Sequence, residues 1–377
     1  MVVGKKHTPG TIGVQTRAVH VTTLAMPRTK VLGIGSYVPD NIVTNDQIRY
    51  LNQQLEVSEE VQTETSDEWI RKRTGIEERR FVKAGEPGLT SDLALEACKN
   101  AIDDAGCVAN DIDCIIFATL SPDIHFPGAG VFLQKKLGIS GAGTAAPCYD
   151  IRQQCSGFIY GLQMADAFIR CGHYKRVLLV GAERHSTGLD FTTRGRDVNV
   201  LFGDGAGAFV LGPDDKLEDN VGIVYTDVHA DGDGAMYLYM KVFAIDQSPI
   251  VDINIDPTEN ISLFPQMDGK RVFLHAVRAM VMATNKALAD NNMTWDDIDW
   301  FVPHQANLRI NQKVVELASI PPEKALSTIE KFGNTTAATI PLTIDHWRKQ
   351  GRVKKGDRCL ATVFGSGFTW GAAIFTV

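Results

Sequence analysis

Ala101-Ile-Asp-Asp-Ala-Gly-Cys-Val-Ala-Asn-Asp-Ile-Asp113 returns, 186 residues later, as Ala287-Leu-Ala-Asp-Asn-Asn-Met-Thr-Trp-Asp-Asp-Ile-Asp299. Ala101/Ala287, Asp104/Asp290, Asp111/Asp297, Ile112/Ile298 and Asp113/Asp299 coincide. Each copy closes a helical pattern. Leu93, Ala94, Ala97, Cys98, Ala101 and Ile102 make one apolar stripe; Val272, Phe273, Ala276, Val277 and Met280 make the other. Each copy then runs into an apolar strand, Cys-Ile-Ile-Phe-Ala118 or Trp-Phe-Val-Pro303, and a further strand follows in each half near Arg176–Gly181 and Arg358–Phe364. Strands alternating with helices imply sheets covered by helices. The repeat therefore predicts a duplicated, layered α/β fold with pseudo-twofold symmetry.

The expected organisation is an N-terminal extension over residues 1–29, a first half over 30–214 and a second half over 215–377. The extension carries Lys5, Lys6, Arg17 and Arg28 and has no continuous apolar segment. It reads as a disordered tail, with Met26 as an alternative start. Residues 229–265 read as loop, a pocket wall or lid.

With 377 residues, 44% apolar and 22% charged, the chain has the composition of a soluble globular protein. The net charge of −7 argues against nucleic-acid binding. No apolar run reaches the roughly 20 residues that span a bilayer. The seven cysteines are odd in number and contain no C-x-x-C pair, so neither a disulfide framework nor a zinc site is indicated. A reducing cytoplasm fits this usage.

Cys155, in Asp150-Ile-Arg-Gln-Gln-Cys-Ser-Gly-Phe158, sits where a strand-like approach meets an amphipathic helix. A helix N-terminus favours a thiolate, and the thiolate is the nucleophile. His304 follows a buried strand, where α/β sheets place their ligands. Asn334 lies in Lys331-Phe-Gly-Asn-Thr-Thr-Ala-Ala-Thr339, ahead of a helix of small residues. Taken singly, a core thiol, a buried histidine and a helix cap are the blander readings. Together they specify a thiol that attacks a thioester and two donors for a developing oxyanion; His304 must then present an N–H. Phe202-Gly-Asp-Gly-Ala-Gly-Ala208 is not read as a nucleotide loop, because a strand rather than a helix follows it.

Several stretches together resemble β-ketoacyl-acyl-carrier-protein synthase III of the thiolase superfamily. They are Thr65-Ser-Asp-Glu-Trp-Ile-Arg-Lys-Arg-Thr-Gly-Ile76, Cys155-Ser-Gly-Phe, Val302-Pro-His-Gln-Ala-Asn-Leu-Arg-Ile310, Phe332-Gly-Asn-Thr and Gly365-Ser-Gly-Phe-Thr-Trp-Gly371. The resemblance implies a thiolase-like α-β-α-β-α fold and a two-step condensation. An acyl-CoA loads Cys155; malonyl-acyl-carrier-protein then loses CO₂, and its enolate, held by His304 and Asn334, attacks the acyl-cysteine. It further implies an oxyanion hole from the backbone N–H groups of Cys155 and Gly367. Coenzyme A contacts fall on Trp69, Arg73 and Arg196, and a carrier-protein contact on Arg309. Phe126 would reach into the partner's acyl pocket in a homodimer. No metal or redox cofactor is implied. The chain departs from the family at Gln153, Gln154 and Ser366, and Leu274 and Glu316 stand where basic residues often serve. Carrier-protein docking is therefore expected to have less electrostatic help.

The nearest alternative is a specialised relative serving secondary metabolism. A thiolase should carry a second catalytic cysteine in Gly365-Ser-Gly, which has none. A plant-type polyketide synthase shares the Cys-His-Asn set but fits the Trp69/Arg73 segment less well. A papain-like protease would not need duplicated halves. A non-catalytic partner subunit of a condensing complex would not need all three side chains intact.

Overall fold

The structure, a computed structural model, describes residues 27–48, 64–83, 85–86, 88–141, 146–214, 221–241 and 263–377. The extension expected over residues 1–29 lies outside the described residues up to residue 26, and β1 (Arg28–Tyr37) starts two residues later.

In the first half β2 (Ile42–Thr44) pairs with β3 (Glu78–Arg80), flanked by the short helix α1 (Asn45–Ile48) and by α2 (Asp67–Thr74). The main sheet follows: α3 (Thr90–Asp104), β4 (Cys114–Ala118), α4 (Ala129–Lys136), β5 (Cys148–Ile151), α5 (Gly157–Arg170), β6 (Val177–Glu183), α6 (Arg196–Asn199) and β7 (Gly205–Asp214). Its strand order is β1-β7-β6-β4-β5, with β6, β4 and β5 mutually parallel. The Gly-rich stretch is strand β7, as its reading against a nucleotide loop requires.

In the second half β8 (Ile223–Ala230) precedes a small pair, β9 (Leu238–Tyr239) with β10 (Gln266–Met267). Then come α7 (Gly269–Asp290), β11 (Trp300–Pro303), α8 (Leu308–Leu317), α9 (Ile329–Phe332), α10 (Thr339–Lys349), β12 (Arg358–Gly365) and β13 (Thr369–Thr376). The order β11-β12-β13-β8 repeats the first sheet strand for strand, one strand short. Where β5 lies parallel to β4 in the first half, β11 makes one parallel bridge, Phe301 to Ala325.

The repeated acidic motif does the same work twice. Asp111 accepts the Val108 N–H at 3.0 Å, and Asp297 accepts the Thr294 N–H at 2.8 Å, each closing a short turn ahead of a strand. Asp113 then accepts the N–H of Arg176 at 3.0 Å, and Asp299 that of Arg358 at 2.7 Å. One carboxylate ends the turn; the next ties it to the neighbouring parallel strand. These bonds satisfy backbone donors that would otherwise be orphaned at the sheet end.

Strand alternation sorts the apolar side chains into layers. Ile116, Leu179, Ala361 and Val363 face a central layer that holds Phe158, Leu162, Ile340 and Ile344 of α5 and α10. Ile115, Phe117, Leu178 and Val180 face α3 and α4. Leu360 and Ile374 face α7 and α8. The result is α-β-α-β-α, the thiolase-like layering, with two buried helices between two sheets. A fourth cluster, with Ile48, Ile70, Ile76, Phe81 and Val200, seats α2 over one end of the molecule.

Candidate active site

Cys155 lies in a 3-10 turn, Gln154–Ser156, just ahead of α5. The turn is tied to the other half: Ser156 Oγ donates to the Thr369 carbonyl at 3.0 Å. His304 directly follows β11, and its N–H donates to the Thr362 carbonyl at 2.8 Å, which extends the parallel pairing with β12 by one residue. Gln305 fixes this exit. Its Nε2 donates to Pro303 O at 2.7 Å and its Oε1 accepts the N–H of Thr328 at 3.0 Å.

Asn334 is threaded against the first half. Its N–H donates to Leu201 O at 2.8 Å, and its carbonyl accepts from Gly203 at 3.0 Å. The close approach needs Gly333, whose φ is 62° and where a Cβ would stand 3.0 Å from Leu201 O. Asn334 Oδ1 accepts the Thr336 N–H at 2.8 Å, leaving its amide nitrogen to donate.

Cys155, His304 and Asn334 border one cavity of about 100 Å³, otherwise mostly apolar, with Phe202, Leu238, Met267 and Phe273 among its walls. All three are buried, at 7%, 1% and 4% exposure. Burial pushes the Cys155 thiol up to about 12, with the Glu183 charge adding to it; the residue's own N–H and the Asn334 amide act in the opposite direction. The thiolate expected from the helix N-terminus is thus outweighed by desolvation, and the free sulfur is a thiol. Burial pushes His304 down to about 3, so its ring is neutral.

Gly367 occupies the turn between β12 and β13, with φ 134°, and the cavity wall there is Phe364 and Gly365. Trp69 is placed by its helix cap: Ser66 Oγ accepts the Trp69 N–H at 3.1 Å, and Gly75 ends α2 in the left-handed region. The Arg73 and Arg196 guanidiniums lie 4.1 and 5.3 Å from the Trp69 ring centroid. Asn307 borders the cavity and its amide donates to Arg73 O at 3.0 Å, so this aromatic–cation cluster adjoins the cavity. Arg309 is exposed, 5.8 Å over the Phe273 ring at the cavity wall. Phe126 is 79% exposed and does not border this chain's cavity.

Sequence reasoning missed Glu183 and His185. Glu183, at the end of β6, accepts from Thr119 Oγ1 at 3.1 Å and from the Leu120 and Ser121 N–H groups, and burial pushes it up to about 7. His185 Nε2 lies 2.6 Å from Thr336 Oγ1, behind Asn334. Glu183 ends and His185 follows the parallel strand β6, close to the signal that singled out His304.

The sequence profile described as 3-oxoacyl-[acyl-carrier-protein] synthase III matches residues 149–232, and its C-terminal counterpart matches 288–377. The chain is 39% identical over 346 residues to a β-ketoacyl-[acyl-carrier-protein] synthase III of Xanthomonas campestris pv. campestris, covering 92% of this chain and 97% of that one. It is 40% identical over 349 residues to one from Laribacter hongkongensis, covering 93% and 99%. The crystal structure of 3-oxoacyl-[acyl-carrier-protein] synthase III from Aquifex aeolicus superposes with a TM-score of 0.78 at 35% identity, over 93% of this chain and all of that one. The priming β-ketosynthase of the R1128 polyketide pathway superposes with the same TM-score, 0.78, at 32% identity, over 93% and 97%.

Proposed function

The chain belongs to the β-ketoacyl-acyl-carrier-protein synthase III family of condensing acyltransferases, and we propose that Cys155, His304 and Asn334 carry its reaction. The observation behind this reading is their convergence on one mostly apolar cavity from three separate stretches of chain.

Cys155 Sγ bonds to the acyl carbon of an acyl-CoA while the carbon–sulfur bond to coenzyme A breaks. The proton that Cys155 loses ends on the departing sulfur, so coenzyme A leaves as its thiol. Because the resting sulfur is a thiol, deprotonation accompanies attack rather than preceding it. The N–H groups of Cys155 and Gly367 hold the oxyanion of this step. Malonyl-acyl-carrier-protein then enters. Loss of CO₂ leaves an electron pair on its α-carbon, delocalised onto the thioester oxygen. His304 and Asn334 donate to that oxygen. The α-carbon attacks the acyl carbon, the bond to Cys155 breaks, and the sulfur is reprotonated.

Trp69 and Arg196 take the adenine between ring and guanidinium, and Arg73 assists from the same cluster. Arg309 meets the carrier protein. Phe126 enters the acyl pocket of a second copy in a homodimer. The chemistry asks for no cofactor beyond the thioester substrates, because decarboxylation supplies the carbanion. The working organisation is the pair of halves, 30–214 with the nucleophile and 215–377 with the donors, and the compartment is the cytoplasm. Among the described residues, no helix is long and apolar enough to cross a membrane.

A second reading keeps the chemistry and changes the pathway, with the condensation priming a specialised acyl chain. The likeness to a priming ketosynthase favours it.

The test is intact-protein mass spectrometry after incubation with a panel of acyl-CoAs. A single acyl adduct, lost in Cys155→Ala, is expected. An adduct that survives the substitution, or none from any acyl-CoA, overturns the reading.

A further inference from the structure

His304 Nδ1 lies 2.7 Å from Thr339 Oγ1. Its Nε2 is buried without a hydrogen-bond partner among the described residues, and the residue borders the cavity. A neutral imidazole has one donor and one acceptor nitrogen, so the tautomer decides whether the ring can donate to an oxygen in the cavity.

The Thr339 hydroxyl has one proton and two acceptors in reach: His304 Nδ1 at 2.7 Å and the Thr336 carbonyl at 3.0 Å. That carbonyl already accepts the backbone N–H of Thr339. The shorter contact has the length most common for an O–H donor and lies at the short end of the range for a ring N–H. A hydroxyl proton on this shorter contact makes Nδ1 the acceptor and leaves the ring hydrogen on Nε2.

We propose that Thr339 is a positioning residue that fixes His304 as the Nε2–H tautomer and so aims a donor into the cavity. This rests on the condensing-site reading above and adds a residue to it. Thr339 acts through the imidazole, not on the substrate. Burial supports the assignment by keeping the ring neutral, so that one tautomer rather than an imidazolium is present. Asn334 is oriented by the same short stretch, since the Thr336 N–H occupies its Oδ1. Residues 336–339 thus set both donors: a backbone N–H turns the amide, and a hydroxyl chooses the ring nitrogen.

The experiment uses the full chain labelled with ¹⁵N-histidine and long-range ¹H–¹⁵N correlation spectra, with Thr339→Val and Thr339→Ser beside it. The His304 signal of the unsubstituted protein should have the Nε2–H pattern. Thr339→Val should shift it toward Nδ1–H and slow malonyl decarboxylation roughly tenfold, the factor one net hydrogen bond implies. Its acylation by acyl-CoA, which does not use the ring donor, should change less than twofold. Thr339→Ser should restore both the spectrum and the rate. An Nδ1–H pattern in the unsubstituted protein overturns the proposal. So does a Thr339→Val protein with an unchanged spectrum, or one in which both half-reactions fall equally. A chain that no acyl-CoA acylates refutes the condensing reading instead, while its spectrum still tests the tautomer.

Discussion

Gln154 and Thr336 stand at matching points of the two halves, and both have a left-handed backbone, with φ of 45° and 52°. Each opens a 3-10 turn that leads into a central helix, Gln154–Ser156 before α5 and Thr336–Ala338 before α10. A side chain in this region costs about 1 kcal/mol or more, which the surrounding packing must offset. In the first half the strained residue presents Cys155; in the second it presents Ala337, and the polar side chain at the cavity stands three residues upstream of that point, at Asn334.

The first prediction concerns the wall behind the nucleophile. A Cβ on Gly365 would stand 3.1 Å from the backbone nitrogens of Cys155 and Ser156. Backbone atoms cannot yield as a flexible side chain can. Gly365→Ala should therefore push the 3-10 turn and cut acylation by about tenfold or more, an effect of roughly 1.4 kcal/mol on the barrier. Circular dichroism should stay unchanged. Acylation at the original rate contradicts the proposed placement of Cys155 against this wall.

Removing the amide of Asn334 should separate the half-reactions. Asn334→Ala should still accept an acyl group from acyl-CoA, while malonyl decarboxylation falls by about 10²–10³, the range for one lost oxyanion donor. Single-turnover acylation and release of labelled CO₂ measure the two steps. Equal losses in both would refute the division of roles.

Trp69→Ala should act on recognition alone. Stacking and cation–π contact are worth about 1–2 kcal/mol, so the KM for acyl-CoA should rise about 5- to 30-fold. The kcat/KM for an acyl-pantetheine thioester, which lacks the adenine, should not move. A matching loss with the truncated substrate would place Trp69 in the fold rather than at the nucleotide.

The fourth prediction is thermodynamic. Burial pushes His185 down to about 3. The folded ring is neutral, whereas the unfolded ring takes up a proton below about 6.5. Its contribution is fully present above 6.5 and is lost as pH falls toward 3, at about 1.4 kcal/mol per unit. His185→Gln can still bond Thr336 Oγ1 but cannot titrate. Urea unfolding at pH 6.5 and 5.5 should show the unsubstituted protein losing about 1 kcal/mol more than the variant, because the unfolded ring is already half protonated at the upper pH. Identical pH dependence would mean that His185 is already exposed to water.

The layered fold was legible because the duplication preserved a motif whose carboxylates have fixed backbone duties. Asp111 and Asp297, or Asp113 and Asp299, cannot change without freeing an N–H. Cys155, His304 and Asn334, the proposed reacting side chains, drew attention for a related reason: each stands at the end of a recognisable element. The ionisation of Cys155 was not. Helix position predicts a lowered value, but desolvation depends on what closes over the sulfur, and that closure comes from β9, β10 and α7. β8 fell partly in a stretch read as loop, since only its Ile223 is buried, and an edge strand facing solvent lacks the apolar run that marks a central one. The His304–Thr339 contact joins residues 35 apart, and nothing in their local patterns announces it.

The two central helices begin almost in contact. A Cβ on Gly157 would lie 3.5 Å from the Ala337 Cβ, and one on Gly181 would lie 2.6 Å from the Ala337 carbonyl. Cys155 and Asn334, the proposed attacking and stabilising residues, therefore stand on and just ahead of two abutting turns, not on separate loops. Their spacing is set by a seam of small residues, Gly157 of α5 and Gly181 of β6 against Ala337. Drift in the outer layers, where the proposed nucleotide and carrier-protein contacts lie, leaves that seam untouched. Substrate choice can diversify at the periphery while the distance between attack and stabilisation stays constant.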